Sequence, residues 1–128
     1  MPLDQVRKRT RERAWLAAHP ERTAIYRERR KVRYKELRQV VFEGLGKTCA
    51  CCGEGDDRFL SVDHVRNDGK LERLLGNRGA YLFYLNVIRG GFDKTRYQTL
   101  CYNCNFAKVK NGGICPHPKP TIAFGWCV

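Results

Sequence analysis

At 128 residues the chain is long enough for one modest core plus an extension. Its formal net charge of +12 selects polyanionic partners. Seven cysteines, an odd number, with no apolar leader ahead of the basic start, argue against a secreted disulfide framework; no apolar run approaches the roughly 18 residues that span a bilayer. The expectation is a cytoplasmic protein with no membrane partner.

The charge is uneven. Residues 1–48 hold 14 Lys and Arg against 6 Asp and Glu, a net of +8, and the remainder carries +4. Residues 3 to 18 have the composition of a short basic helix with Leu3, Val6, Ala14 and Ala17 near one stripe, interrupted by Pro20. A longer helix is expected from about Glu21 to Glu43, with Ile25, Val32, Leu37, Val41 and Leu45 on a narrow apolar stripe and Gly44 and Gly46 as its end. Off that stripe lie Arg22, Arg27, Arg29, Arg30, Lys31, Arg33, Lys35 and Arg38, a set suited to DNA phosphates and, in its blander form, a solvated helix face.

From Cys49 the pattern changes. Cys49-Ala50-Cys51-Cys52-Gly53 is a Cys-x-x-Cys turn, Arg58 to Val62 reads as a strand that delivers Asp63-His64 at its end, and Asn67-Asp68-Gly69 turns the chain. Leu71, Leu74 and Leu75 suggest a short helix, and Ala80 to Ile88 an apolar one closed by Gly90-Gly91. A second strand, Tyr97 to Leu100, runs into Cys101-Tyr102-Asn103-Cys104, followed by a helix over 103–110 and an irregular tail from Gly112.

Two such turns present Cys49, Cys52, Cys101 and Cys104 as a tetrahedral zinc site, closed to water and therefore structural rather than catalytic. The 48 residues between Cys52 and Cys101 exceed the spacing of a simple zinc ribbon, so the intervening segment has structure of its own. Within it, Asp63-His64 is the candidate chemistry. Cys51 is not expected to share the zinc with its neighbours; His117, near Cys115, is a candidate metal neighbour but reads first as a tail residue, Asp68 is an alternative metal ligand that reads first as a turn residue, and Cys127 is a terminal thiol.

The ordered set of Cys-x-x-Cys-Gly at 49–53, a strand, Asp63-His64-Val65, and Tyr97-Gln98-Thr99-Leu100-Cys101 leading to Cys104-Asn105 and Lys108 resembles the HNH nucleases of the ββα-metal class. The likeness is strongest to the small stand-alone enzymes of phages and mobile elements, and it covers residues 47–117. It implies an α+β fold in which a small ββα-metal domain over 47–128, stapled by a four-cysteine zinc site, follows a basic helical DNA-binding extension over 1–46. By the same resemblance His64 is the general base, Asp63 and Asn105 hold one Mg2+ or Mn2+, and the reaction is hydrolysis of DNA, double-stranded by preference, leaving a 5′ phosphate and a 3′ hydroxyl. Imidazole is the side chain suited to taking a proton at neutral pH, and oxygen donors suit those cations. Lys108 is placed to steady phosphate. The family's middle Asn, which braces the base-carrying loop, falls at Arg96; Arg96 itself, Asn67 or Asn86 is then the candidate brace. The competing expectation is a non-catalytic zinc-ribbon module that binds DNA or RNA, with Asp63 and His64 structural.

Overall fold

The computed structural model describes residues 2–76 and 79–118; Cys127 and the end of the tail lie outside the described residues. The chain divides between Glu36 and Leu37, inside a helix rather than at the end of one.

In the N-terminal unit α1, Leu3–Ala18, ends at His19, whose backbone N–H returns to Leu16 O. Pro20 opens α2, Pro20–Leu45, a position where its missing N–H costs nothing. Thr23 Oγ1 donates to Leu16 O at 2.8 Å, tying the start of α2 to the end of α1. No residue of α1 is buried. The apolar stripe expected along the second helix is buried only at its C-terminal end: Leu37, Val41, Phe42 and Leu45 are buried, whereas Ile25 and Val32 are 48% and 56% exposed. That is why the division falls where it does. Gly44 lies within α2 rather than ending it, and the Phe92 ring occupies the space where a side chain there would stand; Gly46, at φ +136°, lies just past the helix end and donates its N–H to Phe42 O at 2.8 Å.

The second unit is built on a two-stranded antiparallel sheet, β1 Leu60–His64 and β2 Tyr97–Cys101. Leu60 pairs with Cys101, Asp63 with Gln98 and His64 with Tyr97. The expected first strand is displaced by two residues, because Asp57–Phe59 forms a single 3-10 turn capped by Asp56. Two helices intervene, α3 Gly69–Leu74 and α4 Ala80–Arg89, and α5, Tyr102–Lys110, follows β2 directly. Along α4, Tyr84 and Val87 are buried and Tyr81, Phe83, Leu85 and Ile88 are half-buried.

A two-stranded sheet is marginal on its own. Here Ala50 N donates to Thr99 O and Thr99 Oγ1 to Gly46 O, both at 2.8 Å, so the first cysteine turn and the end of α2 are fastened to β2. The core that results is rich in sulfur: Phe42, Leu60 and Leu100 pack with Cys49, Cys101, Cys104 and Cys115. Among the described residues no helix is long and apolar enough to cross a membrane.

Candidate functional site

The Sγ atoms of Cys49, Cys52, Cys101 and Cys104 lie within 4.8 Å of one another, with Cys52 and Cys101 at 3.7 Å and no disulfide among the described residues. Tetrahedral thiolates at a zinc–sulfur distance of about 2.3 Å are about 3.8 Å apart, so the cluster could hold a metal ion and is compatible with zinc. Electrostatics agree with this fit. Burial pushes the Cys104 thiol up, and the sulfurs of Cys101 and Cys49 push it further; Cys52 is raised by burial and by the Cys49 and Cys101 sulfurs to about 11. At Cys49 burial is outweighed by backbone N–H groups of Cys52, Cys101 and Cys51, which bring it down to about 7. Sulfurs this close cannot all ionise without a cation, and a coordinated cation removes that conflict.

The cluster joins the turn before β1 to the β2–α5 junction. Cys101 also accepts from Cys104 N at the first turn of α5, at 3.4 Å. Held in this way, β1 and α5 bring Asp63, His64 and Asn105 to the wall of one cleft of about 760 Å³, which Lys70 and Arg73 of α3 also line.

Each of these side chains has defined partners. His64 Nε2 lies 3.0 Å from Glu72 Oε2, and the other Glu72 oxygen accepts from Arg96 and from Tyr97 Oη, each at 2.6 Å. Burial alone would raise Glu72, but the Tyr97, His64 and Arg96 contacts outweigh it and hold the carboxyl below the usual glutamate range. Tyr97 is pushed up to about 12 by burial and by the same carboxylate, so it remains a donor. An ionised Glu72 assigns the ring proton to Nε2 and leaves the lone pair on Nδ1. Nδ1 faces Gly69: a Cβ there would sit 2.9 Å away, so only glycine leaves that nitrogen room.

Glu72 was not expected from the sequence. Its one signal is that it lies four residues beyond Asp68, one helical turn, just after the Asn-Asp-Gly turn. His64, Asp68 and Glu72 each offer a donor atom within 4.8 Å of the others, a second set of residues that could hold a cation.

Asp63 differs from its expected surroundings. Its Oδ2 accepts from Lys108 Nζ at 2.5 Å and from Gln98 Nε2 at 2.8 Å. Lys108 is 0% exposed and donates also to His64 O at 2.9 Å. A buried ammonium in that position braces the end of β1; it is not presented to a phosphate. Asn105 Nδ2 donates to Ser61 Oγ at 3.0 Å, leaving its carbonyl oxygen as the acceptor atom. Arg96 serves as a brace in two ways, its carbonyl accepting from Val65 N at 2.8 Å and its guanidinium holding Glu72.

On α2, Arg22, Arg27, Arg29, Arg30, Lys31, Arg33 and Lys35 are exposed; Lys31 pairs with Glu28 at 2.7 Å and Arg33 with Glu36 at 3.4 Å. Arg38 departs from this group. Its guanidinium donates to Leu60 O at 2.9 Å and to Asp57 O, contacts Tyr84 Oη and lies 4.5 Å from the Phe42 ring centre. It secures the entry to β1, a structural task in place of the phosphate contact expected of it.

No protein-family model, curated protein or solved structure matches the chain.

Proposed function

We propose that this chain is an HNH-type endonuclease, a hydrolase stapled by a structural zinc, that cuts DNA phosphodiester bonds with His64 as general base and one divalent cation. The observation that carries this reading is the environment of His64. A carboxylate fixes its tautomer, that carboxylate is itself held by Arg96 and Tyr97, and the lone-pair nitrogen faces a glycine on a cleft shared with Asp63 and Asn105.

In the proposed reaction His64 Nδ1 takes a proton from water as the water oxygen attacks phosphorus, and Glu72 stabilises the imidazolium that forms. The bond from phosphorus to the 3′ oxygen breaks, that oxygen takes a proton from solvent, and the products are a 5′ phosphate and a 3′ hydroxyl. Oxygen donors that line the cleft, from Asp63 and Asn105, fit Mg2+ or Mn2+. Such a cation supplies charge stabilisation to the phosphate and the leaving oxygen. Lys70 and Arg73, which line the cleft, would attract the phosphate, and the exposed cations of α2 would bind double-stranded DNA.

One observation favours the second reading, a non-catalytic zinc-ribbon module that binds DNA or RNA: the Asp63 carboxylate is already neutralised by Lys108. Supercoiled plasmid incubated with the protein and Mg2+ or Mn2+ separates the two. The endonuclease converts it to nicked or linear DNA; a gel shift with no cleavage under either cation leaves the binding module.

A further inference from the structure

Three cysteines and a histidine form a second convergence beside the four-cysteine cluster. Cys51, Cys104, Cys115 and His117 each offer a donor atom within 4.8 Å of the others. His117 Nδ1 is 3.5 Å from Cys51 Sγ, 3.3 Å from Cys104 Sγ and 3.4 Å from Cys115 Sγ. Three thiolates and one imidazole around zinc, with bonds of about 2.3 and 2.05 Å, place nitrogen about 3.5 Å from each sulfur. All three observed separations match that edge.

The chain is folded to make this meeting. After α5, Gly113 N returns to Lys108 O at 2.8 Å and Asn111 Nδ2 holds Ile114 O at 3.0 Å, which turns the tail back toward the cysteine turns. Cys115 is buried in the sulfur-rich core, whereas His117 is exposed at its edge, so the set has a buried floor and an open side for loading. Cys51 is the interior residue of the first turn, adjacent to Cys52, and belongs to this set and not to the first.

We propose that this chain binds two zinc-class ions, the second held by Cys51, Cys115, His117 and Cys104, with Cys104 as a thiolate bridging both. A thiolate sulfur has lone pairs for two cations, and each ion is then four-coordinate and closed to water. Six thiolates, a neutral imidazole and two divalent ions carry a net charge of −2, the same as one zinc with four thiolates, so the second ion adds no charge burden to the core. Its consequence is local: it clips the segment after α5 to the turn before β1. The inference does not depend on the nuclease reading.

Metal content decides it. Purified protein loaded with Zn2+, freed of excess metal and measured by plasma emission and native mass spectrometry is expected to carry two ions per chain. Cys51→Ser, Cys115→Ser and His117→Ala, which leave the first four ligands intact, are each expected to carry one and to keep the folded circular-dichroism spectrum. In the cadmium-loaded protein, two coupled cadmium NMR signals are expected, the coupling passing through Cys104. One zinc per chain in the wild type, two uncoupled cadmium signals, or two zinc ions retained in the Cys51→Ser and Cys115→Ser variants overturns the proposal.

Discussion

Lys108→Met tests the internal bracing of the site. Met has nearly the length of Lys and preserves the packing, so the change removes chiefly the ammonium between Asp63 Oδ2 and His64 O. Asp63 is 7% exposed and keeps only the Gln98 amide as a side-chain donor among the described residues. Removing one partner of a buried ion pair costs about 3–5 kcal/mol because the remaining charge is buried without compensation. With a urea m-value of about 1.5 kcal/mol/M, the unfolding midpoint falls by roughly 2–3 M. The control is the double variant Asp63→Asn with Lys108→Met, in which no charge remains; it is expected to be more stable than the sum of the two single losses predicts, by at least about 1 kcal/mol. All four proteins are unfolded in urea at one fixed zinc concentration, since bound metal shifts apparent stability. A loss below about 1 kcal/mol for Lys108→Met, or strict additivity in the double variant, refutes the idea that this pair holds the end of β1.

Other consequences concern the cleft and the helices. Glu72→Gln withdraws the charge that fixes the His64 tautomer and is expected to lower cleavage about 10–100-fold. Because the folded Glu72 carboxyl is held below its ordinary value near 4.5, its stabilisation is present above that pH and is lost as pH falls through the lowered value; the stability gap between wild type and Glu72→Gln therefore narrows in acid, and a constant gap from pH 7 to 3 contradicts the assignment. Gly69→Ala places a Cβ 2.9 Å from His64 Nδ1 and should reduce cleavage at least about tenfold with DNA binding intact; wild-type turnover shows that Nδ1 is not the working atom. Arg38→Ala should destabilise by about 1.5–3 kcal/mol through its lost carbonyl bonds and leave the salt dependence of DNA binding unchanged. Arg30→Ala should do the reverse, with stability within about 0.5 kcal/mol and the slope of log K against log salt reduced by about 0.9.

The elements that sequence revealed are those whose cause is local. Two Cys-x-x-Cys turns, the helix-breaking Pro20 and the β-forming runs before Asp63 and Cys101 are written in residues next to one another, and each appears where its spacing put it, within two residues. Partners chosen across the fold were not legible. Glu72 and Lys108 look like solvated helix charges until β1 and β2 pair, when Glu72 meets Tyr97 and Lys108 meets Asp63. Arg38 follows the same logic, an exposed cation by its helix position and a strand brace by what packs beside it. The alternation of apolar residues along α2 gave the wrong extent of burial, because periodicity marks a face but not how far the neighbouring core reaches along it. The proximity of His117 to Cys115 is legible in sequence, but that Cys51 and Cys104 join them is not, since that meeting depends on the chain reversing after α5.

The central claim is that His64 is the base of a phosphodiesterase site. Its most direct test is single-turnover cleavage of supercoiled plasmid by wild type and His64→Ala at matched zinc content and saturating Mg2+ or Mn2+. Nicking by the wild type is expected, with a loss of about 10²–10⁴-fold in the variant and folding and DNA affinity unchanged. Equal rates in the two proteins, or intact plasmid with both, would contradict it.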